Sequence, residues 1–169
     1  MTLVAVLQRS EQSYRAMSSS GNETPRGLHA KPFARYSAGM AVKLNHTIVH
    51  ARDGRATADF YAEVFGFGPP VAFGPFVDIQ TANEVTLAIL ETDERFEPQH
   101  YAFLVSEAEF DQIFGRVKAR GLDYWADPGL KRKGEINTHF AGRGVYFRDP
   151  GGHLLEIITR PYGSWDDVK

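Results

Sequence analysis

The stretch GVYFRDPGGHLLEIITR, residues 144–160, contains two short apolar segments separated by Asp-Pro-Gly-Gly at 149–152. Apolar and β-branched residues on both sides of a turn sequence predict a β-hairpin. Side chains alternate along a strand, so Leu154, Glu156 and Ile158 share one face of the second strand. A carboxylate among apolar neighbours needs a partner, because an unpaired buried charge is costly. Glu156 is therefore a candidate functional residue.

This hairpin closes the second of two similar halves. The first strand is predicted at Leu44–Val49 in one half and Gln99–Val105 in the other, each with a histidine near its start. A helix follows at Ala56–Phe65 before Gly66, and at Glu107–Arg120 between the N-cap Ser106 and Gly121. Three strands complete each half, near Val71–Phe73, Val77–Thr81 and Val85–Glu91, and near Asp123–Trp125, Gly144–Arg148 and His153–Arg160. Neither half can bury both faces of its sheet alone, so the repeat predicts an α+β domain with the halves side by side in one curved sheet.

The repeat places two histidines, His46 and His100, at equivalent positions in the first strand of each half. Together with Glu156 they form a set of two imidazoles and one carboxylate, which leaves open positions on a cation for water or substrate. The chain contains no cysteine, so any metal is held by nitrogen and oxygen. We predict one divalent metal site, in which Fe(II), Mn(II), Co(II), Ni(II) and Zn(II) all remain possible.

Two further residues are candidate catalytic groups. Tyr146 lies on the strand beside Glu156, where its hydroxyl could stabilise developing negative charge; the alternative is an ordinary core aromatic. His139 lies in a polar loop and could act as an acid or base over the mouth of the cavity. His153 faces away from Glu156 by strand alternation and is left out of the ligand set.

Two other charged features, Glu91 and the basic run 131–133, are explained more simply by contact with solvent than by a role in the site. Glu91 ends the first half beside Thr92 and Asp93, where a solvated carboxylate is expected, and one of residues 87–89 fills the inward position nearby. The basic run 131–133 could receive an anion, but a solvated loop is the simpler interpretation.

The composition is that of one ordinary globular domain. The chain has 169 residues, 43% hydrophobic, and a formal net charge of -2, which provides no broad positive field to attract nucleic acid or anionic lipid. No apolar run is long enough to cross a bilayer, and the apolar start at 1–7 is too short for a signal-peptide core. We therefore expect a cytoplasmic protein with a small-molecule substrate and no nucleic-acid or membrane partner.

The polar, Ser- and Arg-rich residues 1–39 lack a helix or strand period and predict an N-terminal tail. We expect the domain at 40–163, with its first module at about 42–92 and its second at about 98–162. Residues 164–169 form a predicted C-terminal tail.

Residues 42–162 resemble the vicinal oxygen chelate superfamily, which includes glyoxalase I, extradiol dioxygenases, fosfomycin-resistance transferases and bleomycin-binding proteins. The resemblance rests on Leu44-Asn45-His46, on His100, and on the hairpin that runs from Val145 through the Asp-Pro-Gly-Gly turn to Glu156. It implies two βαβββ modules that form a cup around a metal, and a homodimer. It also implies that His46, His100 and Glu156 are metal ligands and that Tyr146 has a functional role, as in the dioxygenases and fosfomycin transferases. The fourth ligand of glyoxalase I has no counterpart here.

The resemblance leaves three functions open, since one fold hosts many activities. The first is a non-haem Fe(II) extradiol-type dioxygenase that acts on a small aromatic or other vicinal-oxygen substrate. The second is a metal-dependent lyase, isomerase or transferase of glyoxalase or fosfomycin type. The third is a binding protein without catalytic activity that sequesters a drug or metabolite. The retained metal triad argues against the third.

Overall fold

The computed structural model describes residues 42–138 and 141–162. Both predicted tails, 1–39 and 164–169, and His139 lie outside the described residues. The predicted domain limits remain predictions. The described residues form the following strands and helices: β1 His46–Ala51, α1 Gly54–Phe65, β2 Val71–Phe73, β3 Phe76–Gln80, β4 Thr86–Glu91, β5 His100–Leu104, α2 Glu107–Ala119, β6 Tyr124–Trp125, β7 Gly144–Arg148 and β8 Leu154–Ile158. No helix in these ranges is long and apolar enough to span a membrane.

The strands form two four-stranded sheets with the same topology. Their orders are β1-β4-β3-β2 and β5-β8-β7-β6. In each sheet the first strand pairs in parallel with the last, and the remaining pairs are antiparallel. The βαβββ repeat and the α+β class are therefore confirmed. The two modules are hydrogen-bonded as separate sheets rather than as one ladder, because β1 and β5 each pair only with the last strand of their own module.

Both helices lie at their predicted positions, with α1 beginning at Gly54, two residues before the predicted Ala56, and α2 ending at Ala119, one residue before the predicted Arg120. At the start of α1 the Asp53 carboxylate accepts a hydrogen bond from the Ala56 backbone N–H, and Gly66 ends the helix in the left-handed conformation. Helix α2 starts with a capping box, in which Ser106 and Glu109 each accept a backbone N–H from the other. These caps satisfy helix-end groups that have no partner within the helix.

The first strand departs most from its predicted position. The sequence predicts the first strand at 44–49, whereas β1 covers His46–Ala51. The reason is the partner strand: the ladder with β4 begins at the pair His46 and Thr86. An extended segment is counted as a strand only where a neighbour is present to receive its hydrogen bonds.

A single apolar core lies between the sheets and the helices. Phe65 of α1 joins the modules, because its ring lies 4.4 Å from the ring of Phe103 in β5 and 6.0 Å from that of Phe147 in β7. The remaining core residues come from both modules and include Val49, Tyr61, Val64, Ile79, Leu87, Ile89, Phe110, Ile113, Val117, Val145, Leu155 and Ile157. One face of each sheet is thus buried, and the opposite face is open.

A polar cluster also joins the two modules. His153 is almost fully buried. Its Nδ1 accepts the Gln99 N–H at 2.8 Å, so its Nε2 carries the proton and donates to the His50 carbonyl of β1, also at 2.8 Å. Asp149 accepts the His153 N–H and the Tyr61 hydroxyl. Burial raises the pKa of Asp149, and it raises the pKa of Tyr61 well above 10, which keeps that phenol a donor.

Candidate metal centre

The open face of the second sheet carries the predicted residues of the second module. His100 of β5 pairs with Leu154 of β8, and two positions further along Ala102 pairs with Glu156. Glu156 in turn pairs with Tyr146 of β7. Paired residues point to the same side of a sheet, so the histidine, the carboxylate and the tyrosine share one face.

His100 and Glu156 are in direct contact. The His100 Nε2 lies 3.2 Å from the Glu156 Oε2, and both side chains are largely buried, with 16% and 12% of their surface exposed. The other ring nitrogen of His100, Nδ1, lies 3.0 Å from the Leu154 carbonyl oxygen. A carbonyl only accepts hydrogen bonds, so Nδ1 carries a proton. Nε2 is then the ring nitrogen that faces the carboxylate.

Two electron-pair donors that face each other need a positive charge between them. A proton on Nε2 would supply one, and a divalent cation would supply it with both groups as ligands. Two ligands at about 2.1 Å from one ion, at an angle of about 90–110°, lie about 3.0–3.4 Å apart. The observed 3.2 Å falls in this range. The fixed Nδ1 proton is also the usual arrangement for a metal-bound histidine, so this pair fits a divalent metal.

Tyr146 adds an aromatic wall to this pair. Its ring stacks on the His100 ring with the centroids 6.0 Å apart and an angle of 28° between the planes. The side chain is buried, with 9% exposure. Tyr146 therefore packs its ring beside the imidazole from β7, on the far side of the strand that carries Glu156.

His46 lies apart from this pair, on the open face of the first sheet. It is exposed, and its Nδ1 is 2.8 Å from the Asn45 side-chain oxygen. Its position matches that of His100, since each is the first residue of the first strand in its module. Within the described part of one chain, no three His, Cys, Asp or Glu side chains group together to hold a metal ion. The structure thus brings together two of the three predicted ligands.

The structure gives structural roles to the residues that the sequence left outside the site. His153 lies on the buried face and joins the modules. Glu91 is exposed as expected, and it accepts the Gly54 N–H at the start of α1. In the basic run, the backbone N–H groups of Lys131 and Arg132 donate to the buried Asp127, so the segment is an ordered loop.

The sequence analysis missed one charged residue, Asp78. It lies in the middle of β3 between Val77 and Ile79, and it lines a cavity beside His46. The signal was present, since a carboxylate within an apolar strand is the same pattern that singles out Glu156. Asp78 was missed because its strand carries no neighbouring motif.

The chain matches a known protein family over most of the described residues. Residues 43–157, more than half of the chain, match the family model described as Glyoxalase/Bleomycin resistance protein/Dioxygenase superfamily. The chain belongs to this superfamily. The matched range includes both modules and the His100–Glu156 pair, and the predicted membership is confirmed.

Three members of the superfamily show how wide its chemistry is. The solved structure of oxidase ChaP-H1 is 58% identical with a TM-score of 0.71, and the match covers 73% of this chain and 99% of that one. Metallothiol transferase FosB from Shouchella clausii (strain KSM-K16) is 33% identical over 71% of this chain and 82% of its own length. A FosX mutant from Listeria monocytogenes, solved with Mn(II), has the same fold at 22% identity and a TM-score of 0.55. The relatives are enzymes, and they differ in reaction.

Proposed function

We propose that this chain is a divalent-metal-dependent oxygenase, an extradiol-type dioxygenase or related oxidase that uses Fe(II) and acts on a small aromatic substrate with vicinal oxygens. The contact that carries the proposal is the His100–Glu156 pair, whose Nε2 and Oε2 lie 3.2 Å apart, the spacing expected of two ligands of one cation. The 58% identity to oxidase ChaP-H1 supports oxidation over the other reactions of the superfamily.

The chain's own residues hold and orient the reacting groups. The Leu154 carbonyl fixes the His100 tautomer, and Glu156 supplies the negative charge that offsets a bound cation. Tyr146 places an aromatic ring beside the pair, and its position on the adjacent strand suits a hydroxyl that stabilises negative charge on the substrate. When bound, Fe(II) supplies Lewis-acid activation of paired substrate oxygens and redox chemistry toward O2. His139 remains a proposed acid or base.

The third ligand is proposed to come from a second copy of the chain. His46 is exposed on the open face of its own module and does not join the pair within one chain. The same faces expose Ile48, Phe73 and Leu104, with 42%, 69% and 60% of their surface accessible. Apolar side chains at this exposure favour association with another surface. A homodimer that covers these faces would place His46 of one copy near His100 and Glu156 of the other.

The test is anaerobic reconstitution of the full-length protein with Fe(II), followed by metal analysis and measurement of O2 uptake with catechol. The wild type is expected to hold about one iron per chain and to consume O2, and Glu156→Gln is expected to lose both. Glu97→Gln is the matched control, because Glu97 is exposed and pairs only with Arg95 among the described residues. Equal iron content in Glu156→Gln and wild type would contradict the proposed metal centre.

A transferase or isomerase is the second candidate, and the 33% identity to FosB favours it. In such an enzyme the same ligands would serve a cation that stabilises an anionic oxygen without O2. Thiol addition to fosfomycin by the Mn(II)-loaded protein, with no O2 uptake on any catechol, would select this reaction. Tight binding of a catechol without turnover would instead indicate a binding protein.

A further inference from the structure

The open face of the first sheet carries a cavity of about 320 Å³. This volume lies within the range of small-molecule sites. Its walls include two phenylalanines, Phe73 and Phe76, with His46 and Asp78 as polar groups. The cavity therefore combines aromatic surface with one carboxylate, beside the histidine that we propose as a metal ligand.

The Asp78 carboxylate has a buried, unsatisfied hydrogen-bond acceptor. Its Oδ1 is buried and has no hydrogen-bond partner among the residues that the structure describes. The backbone of Asp78 is fixed in the ladder between Ala88 of β4 and Val71 of β2, so the side chain cannot leave this face. A buried acceptor without a donor destabilises the fold, and such positions persist where a ligand supplies the donor.

Comparison of the two sheets shows that Asp78 takes the place of Tyr146. In the second sheet Tyr146 of β7 pairs with Glu156 of β8, and in the first sheet Asp78 of β3 pairs with Ala88 of β4. In the first sheet the carboxylate therefore lies on β3, one strand over from the position equivalent to Glu156. The residue paired with it is Ala88, whose side chain is a methyl group. Asp78 thus lies across from a small side chain, whereas Tyr146 lies across from Glu156.

We infer that Asp78 is a specificity-determining residue that accepts a hydrogen bond from a hydroxyl group on an aromatic ligand whose ring lies against Phe73 and Phe76. This inference deepens the proposed function, since it names a hydroxylated aromatic as the substrate class. A carboxylate accepts from a phenolic hydroxyl with a charge-assisted bond, and it gains nothing from an ether oxygen at the same place. The site therefore discriminates a phenol from its methyl ether.

The test uses metal-free full-length protein, so that metal chelation does not contribute to binding. Isothermal titration compares 2-naphthol with 2-methoxynaphthalene, in which a methyl group replaces the hydroxyl proton and removes the donor. The wild type is expected to bind 2-naphthol at least about tenfold more tightly. In Asp78→Leu the two ligands are expected to bind alike, and the exposed control Asp59→Asn, on α1, is expected to keep the wild-type ratio.

Thermal unfolding of the same variants separates a ligand-binding role from a structural one. Asp78→Leu removes a buried acceptor that lacks a donor, so its Tm is expected to equal or exceed that of the wild type. A lower Tm together with the loss of binding would show that Asp78 supports the fold. A tenfold preference that persists in Asp78→Leu, or its absence in the wild type, would also overturn the inference. Tighter binding of 2-(aminomethyl)naphthalene than of 2-naphthol would overturn the inference as well.

The outcome is independent of the metal chemistry. If the phenol preference depends on Asp78 and iron reconstitution fails, the proposed reaction is wrong and the aromatic site stands. If iron binds and O2 is consumed but the phenol preference is absent, the proposed reaction stands and the aromatic site is wrong.

Discussion

The two modules have the same topology, and they differ most on their open faces. Each begins its first strand with a histidine, but the His100 ring faces the Glu156 carboxylate while the His46 ring contacts the Asn45 side chain. The reason lies in the last strand of each module, where register places Glu156 two positions beyond the partner of His100 and Ala88 two positions beyond the partner of His46. The histidine of the first module therefore has no carboxylate beside it.

This difference shows how a repeated fold can produce one site from two unequal halves. The backbone of the repeat fixes where a side chain can point, and single residues then decide what each face can bind. The second module has two donors for a cation, and the first has one histidine, an aromatic cavity, and a carboxylate whose Oδ1 has no hydrogen-bond partner among the described residues. The faces are chemically complementary, which favours a site that uses both.

The largest expected effect comes from separating the two halves of the proposed site. His46→Ala and Glu156→Ala homodimers are each expected to lose more than about 100-fold in metal affinity and in O2 uptake. A heterodimer of the two variants would keep one complete site, formed by His46 of one chain and Glu156 of the other. Co-expression with two affinity tags and purification of the mixed species should restore roughly half of the wild-type activity.

The control is the mixed species of His46→Ala with wild type, which would also keep one complete site and about half of the activity. No recovery in the His46→Ala and Glu156→Ala heterodimer, despite its formation, would mean that both residues act within one chain.

A smaller effect is expected where the modules are joined. His153→Phe keeps an aromatic ring but leaves the Gln99 N–H and the His50 carbonyl without partners, which should cost about 2–4 kcal/mol in the free energy of unfolding. Urea unfolding measures this. His50→Phe is the matched control, because His50 contributes its backbone carbonyl and its ring stacks on Phe96. Equal losses in both variants would remove the assigned role of His153.

Asp149→Asn should cost about 1–3 kcal/mol at neutral pH, because an amide cannot accept both the Tyr61 hydroxyl and the His153 N–H as the carboxylate does. The effect also depends on pH. Burial raises the pKa of Asp149 above 3.8 in the folded state, so its ionisation makes the wild type less stable as pH rises through the folded-state pKa. The difference between wild type and variant should therefore narrow from pH 4 to pH 7 in urea titrations. A difference that widens would contradict the assigned direction.

The smallest effect is expected at the helix caps, where the modules are most alike. Ser106→Ala and Asp53→Ala each remove one cap and should lower the free energy of unfolding by about 1 kcal/mol. Ser106→Ala is expected to cost slightly more, since Glu109 also loses its hydroxyl partner. Equilibrium unfolding of the two variants side by side checks the order. Losses as large as that of His153→Phe would show that the helices, rather than the module junction, limit stability.

Much of the fold was predictable because it depends on short-range patterns. The strands at Val71–Phe73 and Gly144–Arg148 have the predicted limits, and α2 begins after the predicted N-cap Ser106. The open-face orientation of Glu156 also follows from alternation alone. Local sequence carries this information because helix caps, turns and strand alternation involve residues close in the chain.

The sequence by itself determined the repeat, the element types, the choice of His100 and Glu156 as site residues, and the orientation of His153 away from Glu156. Tertiary structure decided three other features: β1 starts at the first partner of β4, His46 stays apart from the pair within one chain, and the Asp78 Oδ1 is buried without a donor. These depend on which distant segments meet. Local residue patterns do not encode the distance between two sheets.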